Sequence, residues 1–178
     1  MIFLYLTSCN LVSTKLLANT IHLFRSTVDY YNSKGSTVYT ASLDISKAFD
    51  MITHYQLFDS LIKAGIPGWI IDILVNWYSK LTVKVIWNGN LSHSFIVQSG
   101  VRQGSCLSPS LFNVFIDICT CELRKLNVGC HICNEFVGCL LYADDIIILS
   151  SSINGLQSML DVCSVTSRSL YLNFNCSK

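Results

Sequence analysis

Two adjacent aspartates, Asp144 and Asp145, interrupt the most apolar stretch of the chain, Val137 to Leu149, in which every other residue is apolar, glycine or tyrosine. Burying ionised carboxylates is costly unless a cation or hydrogen-bond donors offset the lost hydration, and adjacent like charges add to the cost. A divalent metal ion answers both difficulties. The flanks, Phe136 to Tyr142 and Ile146 to Ser150, read as two short buried strands joined by a tight turn, which puts the carboxylates at a hairpin tip. The competing reading is a turn whose charges are simply solvated.

The 178 residues suffice for one domain with its own core. Only 13% are charged, against roughly 25% in soluble domains, so something outside the chain is expected to cover part of its apolar surface. The 12 basic and 11 acidic side chains nearly cancel, and no global positive field announces a nucleic-acid partner. Nine cysteines are odd in number and several lie within apolar runs, which favours buried free thiols and a reducing compartment over a disulfide framework. Cys130 and Cys133 have the spacing of half a zinc site, but no second pair follows. The apolar start carries no basic residue before Lys15, unlike a secretion signal, and no stretch offers the roughly 20 uninterrupted apolar residues of a membrane span. The expectation is an intracellular chain, in nucleus or cytoplasm, with no membrane partner.

Apolar spacing predicts a helix over Leu11 to Asn32, stopped by Ser33-Lys34-Gly35-Ser36, and a strand over Thr37 to Ile45 that delivers Asp44 at its end. Thr53 is a plausible N-cap for a helix over His54 to Lys63 closed by Gly65, and Pro67 opens another near Trp69 to Ser79. Asn88-Gly89 between Leu81–Trp87 and Ser92–Gln98 is a strong hairpin signal. A loop from Ser99 to Ser110 feeds a helix over Leu111 to Leu126; Ser152 to Ser169 reads as helix and Leu170 to Phe174 as a short strand. Strands and helices mix without regular alternation, which predicts an α+β fold with helices packed on one face of an antiparallel sheet.

If the aspartate pair binds metal, a further oxygen ligand must come from elsewhere, and Asp44 at its strand end is the candidate. Three such carboxylates can hold two ions roughly 3.5–4 Å apart, one activating a hydroxyl and one stabilising the leaving oxygen in phosphoryl transfer. Three segments then stand in order: Leu43-Asp44-Ile45-Ser46-Lys47-Ala48-Phe49-Asp50, Ser99-Gly100-Val101-Arg102-Gln103-Gly104-Ser105-Cys106-Leu107-Ser108-Pro109, and Tyr142-Ala143-Asp144-Asp145. They resemble the A, B and C motifs of reverse transcriptases, above all those of non-LTR, LINE-type retrotransposons.

That resemblance implies a right-hand polymerase palm over the chain as a single domain. It has partial fingers at 1–36, motif A at 43–50, motif B at 99–112, motif C at 142–145, motif D at about 170–178, and no thumb. It implies an RNA-directed DNA polymerase that extends a primer 3′-hydroxyl with dNTPs on an RNA template, using two Mg²⁺ ions or Mn²⁺ in their place. Asp44, Asp144 and Asp145 would be the catalytic metal ligands, with the Ile45 backbone carbonyl completing a shell. Phe49 matches the steric gate that excludes a ribose 2′-hydroxyl, its competing reading being a core ring. Gln103 and Gly104 match the loop over the incoming nucleotide, Arg102 offers charge to phosphates or to solvent, and Tyr142 resembles the residue beside the primer end. Lys178 resembles the motif D lysine, a proposed acid for the departing pyrophosphate. Lys47, Asp50 and His54 are read as local structural residues. The fingers, thumb and endonuclease regions of a longer polyprotein are expected outside this stretch. An inactive retroelement remnant and an intron-maturase-type enzyme are the other readings of the same motifs.

Overall fold

The computed structural model of the protein describes residues 17–102, 104–142 and 145–175. In chain order its elements begin with α1 (Leu17–Ser33), β1 (Tyr39–Asp44), α2 (Ala48–Met51), α3 (His54–Lys63) and α4 (Gly68–Ser79). Four short strands follow, β2 (Thr82–Val83), β3 (Ile86–Trp87), β4 (Asn90–Leu91) and β5 (Phe95–Ile96), then α5 (Ser108–Lys125). The remainder is β6 (His131–Ile132), β7 (Glu135–Phe136), β8 (Cys139–Tyr142), β9 (Asp145–Ser150) and α6 (Ile153–Ser169). The described residues fall into two compact units, Phe49–Phe115 and 17–48 with 116–175.

The second unit is built on a three-stranded antiparallel sheet in the order β1-β9-β8. Its central strand β9 is apolar at successive positions, and Ile146, Ile148 and Leu149 are all buried. Such a strand needs cover on both faces. Leu140 and Leu149 join Cys130 in a core against Leu23, Phe24 and Tyr31, of which all three lie on α1. Cys139, the cross-strand partner of Ile148 and therefore on the other face, has its Sγ 3.9 Å from Thr120 Oγ1 on α5. Helices thus lie on both faces, which corrects the one-faced arrangement expected from the sequence.

Phe136 does not extend β8 as predicted. Its ring lies over the backbone of Gly129 and Gly138, where a Cβ would come within 2.9 Å and 2.7 Å of it, so the apolar run breaks at Val137 and Gly138. β7 pairs instead with β6 around Cys133-Asn134, whose φ values of 50° and 68° give the doubly positive turn of a tight hairpin. Cys130 is buried and Cys133 is exposed on that turn. The predicted terminal strand shrinks to one bridge, Phe174 opposite Ile45. Two backbone bonds flank it, Ser46 N–H to Asn173 O at 2.9 Å and Asn175 N–H to Asp44 O at 2.8 Å.

In the first unit, α3 and α4 form a helical hairpin. Gln56 N–H donates to Thr53 Oγ1, the expected N-cap, and Gly65 ends the helix with φ of 75°. Leu57, Leu61, Ile71, Leu74 and Tyr78 are buried, as are Phe112 and Phe115 of α5. Each such side chain contributes about 1.5–3 kcal/mol through burial. The Asn88-Gly89 hairpin forms with φ of 49° and 78°, but its ladder is interrupted. Ile86 pairs with Leu91 while Val83 pairs with Phe95, so the returning strand carries one extra residue, a β-bulge, between the two ladders. Ile86, Trp87 and Leu91 are 70%, 81% and 64% exposed, so this ribbon brings apolar side chains into solvent. No helix among the described residues is long and apolar enough to cross a membrane.

Candidate active site

Alternation along β1 brings Asp44 to the strand's last position, and the antiparallel register sets it directly opposite Asp145, the first residue of β9. Directly opposed residues in such a pair have Cβ atoms about 4.5–5.5 Å apart on one face, where two like charges repel. Both side chains are half-buried. Tyr142 ends β8, also in register with Asp145, so the strand ends carrying motifs A and C meet. Asp144 lies outside the described residues, as do Gln103 and Lys178.

The bridge to Phe174 continues the chain beyond β1 through Ile45, whose side chain is 1% exposed. The bonds to residues 173–175 use the Asp44 carbonyl and the Ser46 amide, so by alternation the Ile45 carbonyl points away from that segment. Asn175 Nδ2 donates to Asp44 Oδ2 at 3.2 Å. The sequence reading ended its last strand at Phe174 and missed this asparagine. Its only signal was a polar side chain at the end of a short alternating run. An opposed carboxylate pair and a backbone carbonyl form the all-oxygen donor set that suits Mg²⁺ or Mn²⁺. Among the described residues no group of three potential metal ligands assembles.

The motif B loop is described within the first unit. Gly100 N–H donates to Ile52 O and Val101 N–H to Phe49 O, both at 2.7 Å, and Thr53 bridges Ser99. His54 Nε2 lies 3.0 Å from Gly100 O, a hydrogen bond in the tautomer protonated at Nε2, which supports the structural reading of this histidine. Gly100 has φ of +90°, and a Cβ there would come within 3.3 Å of the Asp50 backbone. Ser108, buried at the start of α5, donates through Oγ to Arg102 O at 2.6 Å and closes the loop on itself. The Arg102 side chain is exposed and borders, with Asp50, Thr82 and Ser99, a cavity of about 280 Å³. Gly104 has φ of +80° with open space around it. Phe49 is half-buried, its ring 4.9 Å from that of Phe112 at 31°.

Strand ends bearing opposed carboxylates, within a mixed helix and sheet fold, define a polymerase-palm-like protein. A telomerase from Candida albicans, solved with a fragment of telomeric RNA, shares that fold at a TM-score of 0.70 and 12% identity, over 92% of this chain and 31% of its own. The chain belongs to the reverse transcriptase (RNA-dependent DNA polymerase) family, whose profile matches residues 5–178. It is 34% identical over 123 residues to the Pol polyprotein of the type-2 retrotransposable element R2DM of Drosophila melanogaster. It is 35% identical over 127 residues to that of a type-1 element R2 of Nasonia vitripennis. Each match covers 69% of this chain and 12% of the relative, so the chain spans a small part of these polyproteins. The relatives bear out the LINE-type retrotransposon resemblance, and the family is generally metal-dependent.

Proposed function

We propose that this chain is the catalytic palm of a retrotransposon RNA-directed DNA polymerase, which extends a primer 3′-hydroxyl with deoxynucleotides on an RNA template. The observation that carries this reading is the register of Asp44 opposite Asp145 at the meeting strand ends. Asp44, Asp144 and Asp145, with the Ile45 carbonyl, hold two Mg²⁺ ions, or Mn²⁺ in their place. When bound, the ions lower the pKa of the primer hydroxyl and neutralise charge on the phosphates. The carboxylates supply the negative charge that selects divalent cations, and the register of Asp44 opposite Asp145 brings two of them together. Tyr142 packs near the primer end. Phe49, braced by Phe112, presents an aromatic edge to the sugar and excludes a 2′-hydroxyl. Arg102 meets phosphate, while Gln103 and Gly104 approach the nucleotide through backbone that carries no bulky side chain at Gly104. Lys178 donates a proton to the leaving pyrophosphate.

Primer extension on an RNA template with dNTPs and Mg²⁺ or Mn²⁺ tests the reading. The expected result is elongation that an Asp144→Ala, Asp145→Ala double variant lacks. Equal signals from the two proteins would overturn it for this chain.

A further inference from the structure

We propose that Asn175 is a positioning residue for Asp44, holding its carboxylate in the orientation in which it binds a divalent cation; this rests on the metal-site reading above. The geometry separates the side chain's role from the backbone's. Residues 173–175 are anchored by the Asn175 amide on Asp44 O and the Ser46 amide on Asn173 O, with the buried Ile45 between them. Those bonds survive any replacement of Asn175 except proline. Added to them is the side-chain bond from Asn175 Nδ2 to Asp44 Oδ2 at 3.2 Å. Only the NH₂ half of the amide can pair with an ionised carboxylate, so the direction of this bond follows from chemistry.

Main-chain anchoring places the Asn175 Cα beside Asp44 at no further entropic cost to the side chain. The terminal torsion of a carboxylate is intrinsically broad, and a hydrogen bond to one of its oxygens narrows it. One oxygen tied to a fixed donor restricts the plane of the group, at the strand end where Asp145 stands opposite. An amide is suited to this task. It donates without bringing a charge that would compete with a cation, whereas a lysine or arginine there would.

Mn²⁺ binding to the full chain, followed by the electron paramagnetic resonance signal of the free ion, tests the proposal. Asn175→Leu keeps similar volume and Asn175→Ala removes it; neither donates a hydrogen bond. Loss of a ligand's orienting partner typically weakens metal affinity roughly 10–100-fold. We expect that loss in both variants, with circular dichroism and thermal midpoint unchanged. Wild-type affinity in either well-folded variant overturns the proposal and leaves the metal-site reading standing. Loss of affinity that follows loss of fold in both variants overturns it in favour of a purely structural role. Wild-type Mn²⁺ binding that persists in Asp44→Asn overturns the metal-site reading itself and the proposal with it.

Discussion

The amide of Val101 donates to the carbonyl of Phe49 across 2.7 Å, and beside it a Cβ on Gly100 would press against the Phe49 and Asp50 backbone. Main-chain hydrogen bonds therefore join the segment at Phe49–Ile52 to the segment at Gly100–Val101. Gly100→Ala must adopt φ of +90° and also push its Cβ to 3.2–3.3 Å from three backbone atoms. A left-handed conformation alone costs about 1–2 kcal/mol for a residue with a Cβ. Gly104→Ala, strained at φ of +80° but in open space, should show that cost and no more. Urea midpoints at constant m-value should rank wild type above Gly104→Ala and Gly104→Ala above Gly100→Ala. The reverse order for the two variants would refute the close approach.

Phe49 has two contributions that one substitution can divide. Its tilted contact with Phe112 is worth about 0.5–1.5 kcal/mol beyond area burial. Phe49→Val should lower stability modestly and, in an active full-length context, raise incorporation of ribonucleotides relative to deoxynucleotides. Unchanged sugar selectivity in a folded variant would remove the gate role and keep the packing one.

The thiols should react in an order set by burial. Cys106 and Cys133 are exposed, whereas Cys119, Cys130, Cys139 and Cys163 are buried. Burial holds the Cys139 thiol up at about 12, against a hydrogen bond with Thr120 that works the other way. Cys119 donates to Cys163 with 3.8 Å between the sulfurs. Iodoacetamide at pH 8 should label Cys106 and Cys133 in the native chain and reach Cys139 only in denaturant. Mass spectrometry showing native labelling of Cys139 would contradict its neutral, covered state.

Asp117 gives a pH dependence of definite sign. Burial raises its carboxyl above the ordinary value of 3.8, while the Arg124 guanidinium and a thiol hydrogen bond from Cys121 oppose the shift. A raised acid binds its proton more tightly when folded, so its contribution to stability is full below pH 3.8 and is lost as pH rises through the folded value. Asp117→Asn removes that loss. The stability of the variant relative to wild type should therefore increase with pH across this window and then level off. A difference that stays flat would show that Asp117 titrates alike in both states.

Local chemistry made much of the fold legible. Thr53, Gly65 and Pro67 bounded their helices as caps and stops do in isolation, and Asn88-Gly89 formed its turn. Side-chain crowding did not show in the chain's local pattern. Phe136 has the alternation of a β8 residue, yet Gly129 and Gly138, on either side of its hairpin, make a slot for its ring. Cys133-Asn134 turns the chain without a glycine. The one-faced sheet failed because a run such as Ile146-Ile147-Ile148-Leu149 needs two covers, and the sequence does not say where the second comes from. For the site, Asp44 and Asp145 met as their strand ends implied, whereas Asn175 became visible only once its segment was seen paired beside Asp44.

Asn175 lies 131 residues downstream of the carboxylate it holds. A ribosome adds about 5–20 residues per second, so Asp44 emerges several seconds before either its strand partner Asp145 or its amide partner exists. The strand bearing the first carboxylate is thus among the early products of synthesis, and the local environment of that carboxylate among the last. A chain that stops between Ser150 and Asn175 keeps all three strands of the sheet but lacks the amide donor to Asp44, which makes that hydrogen bond one of the last parts of the site to be translated.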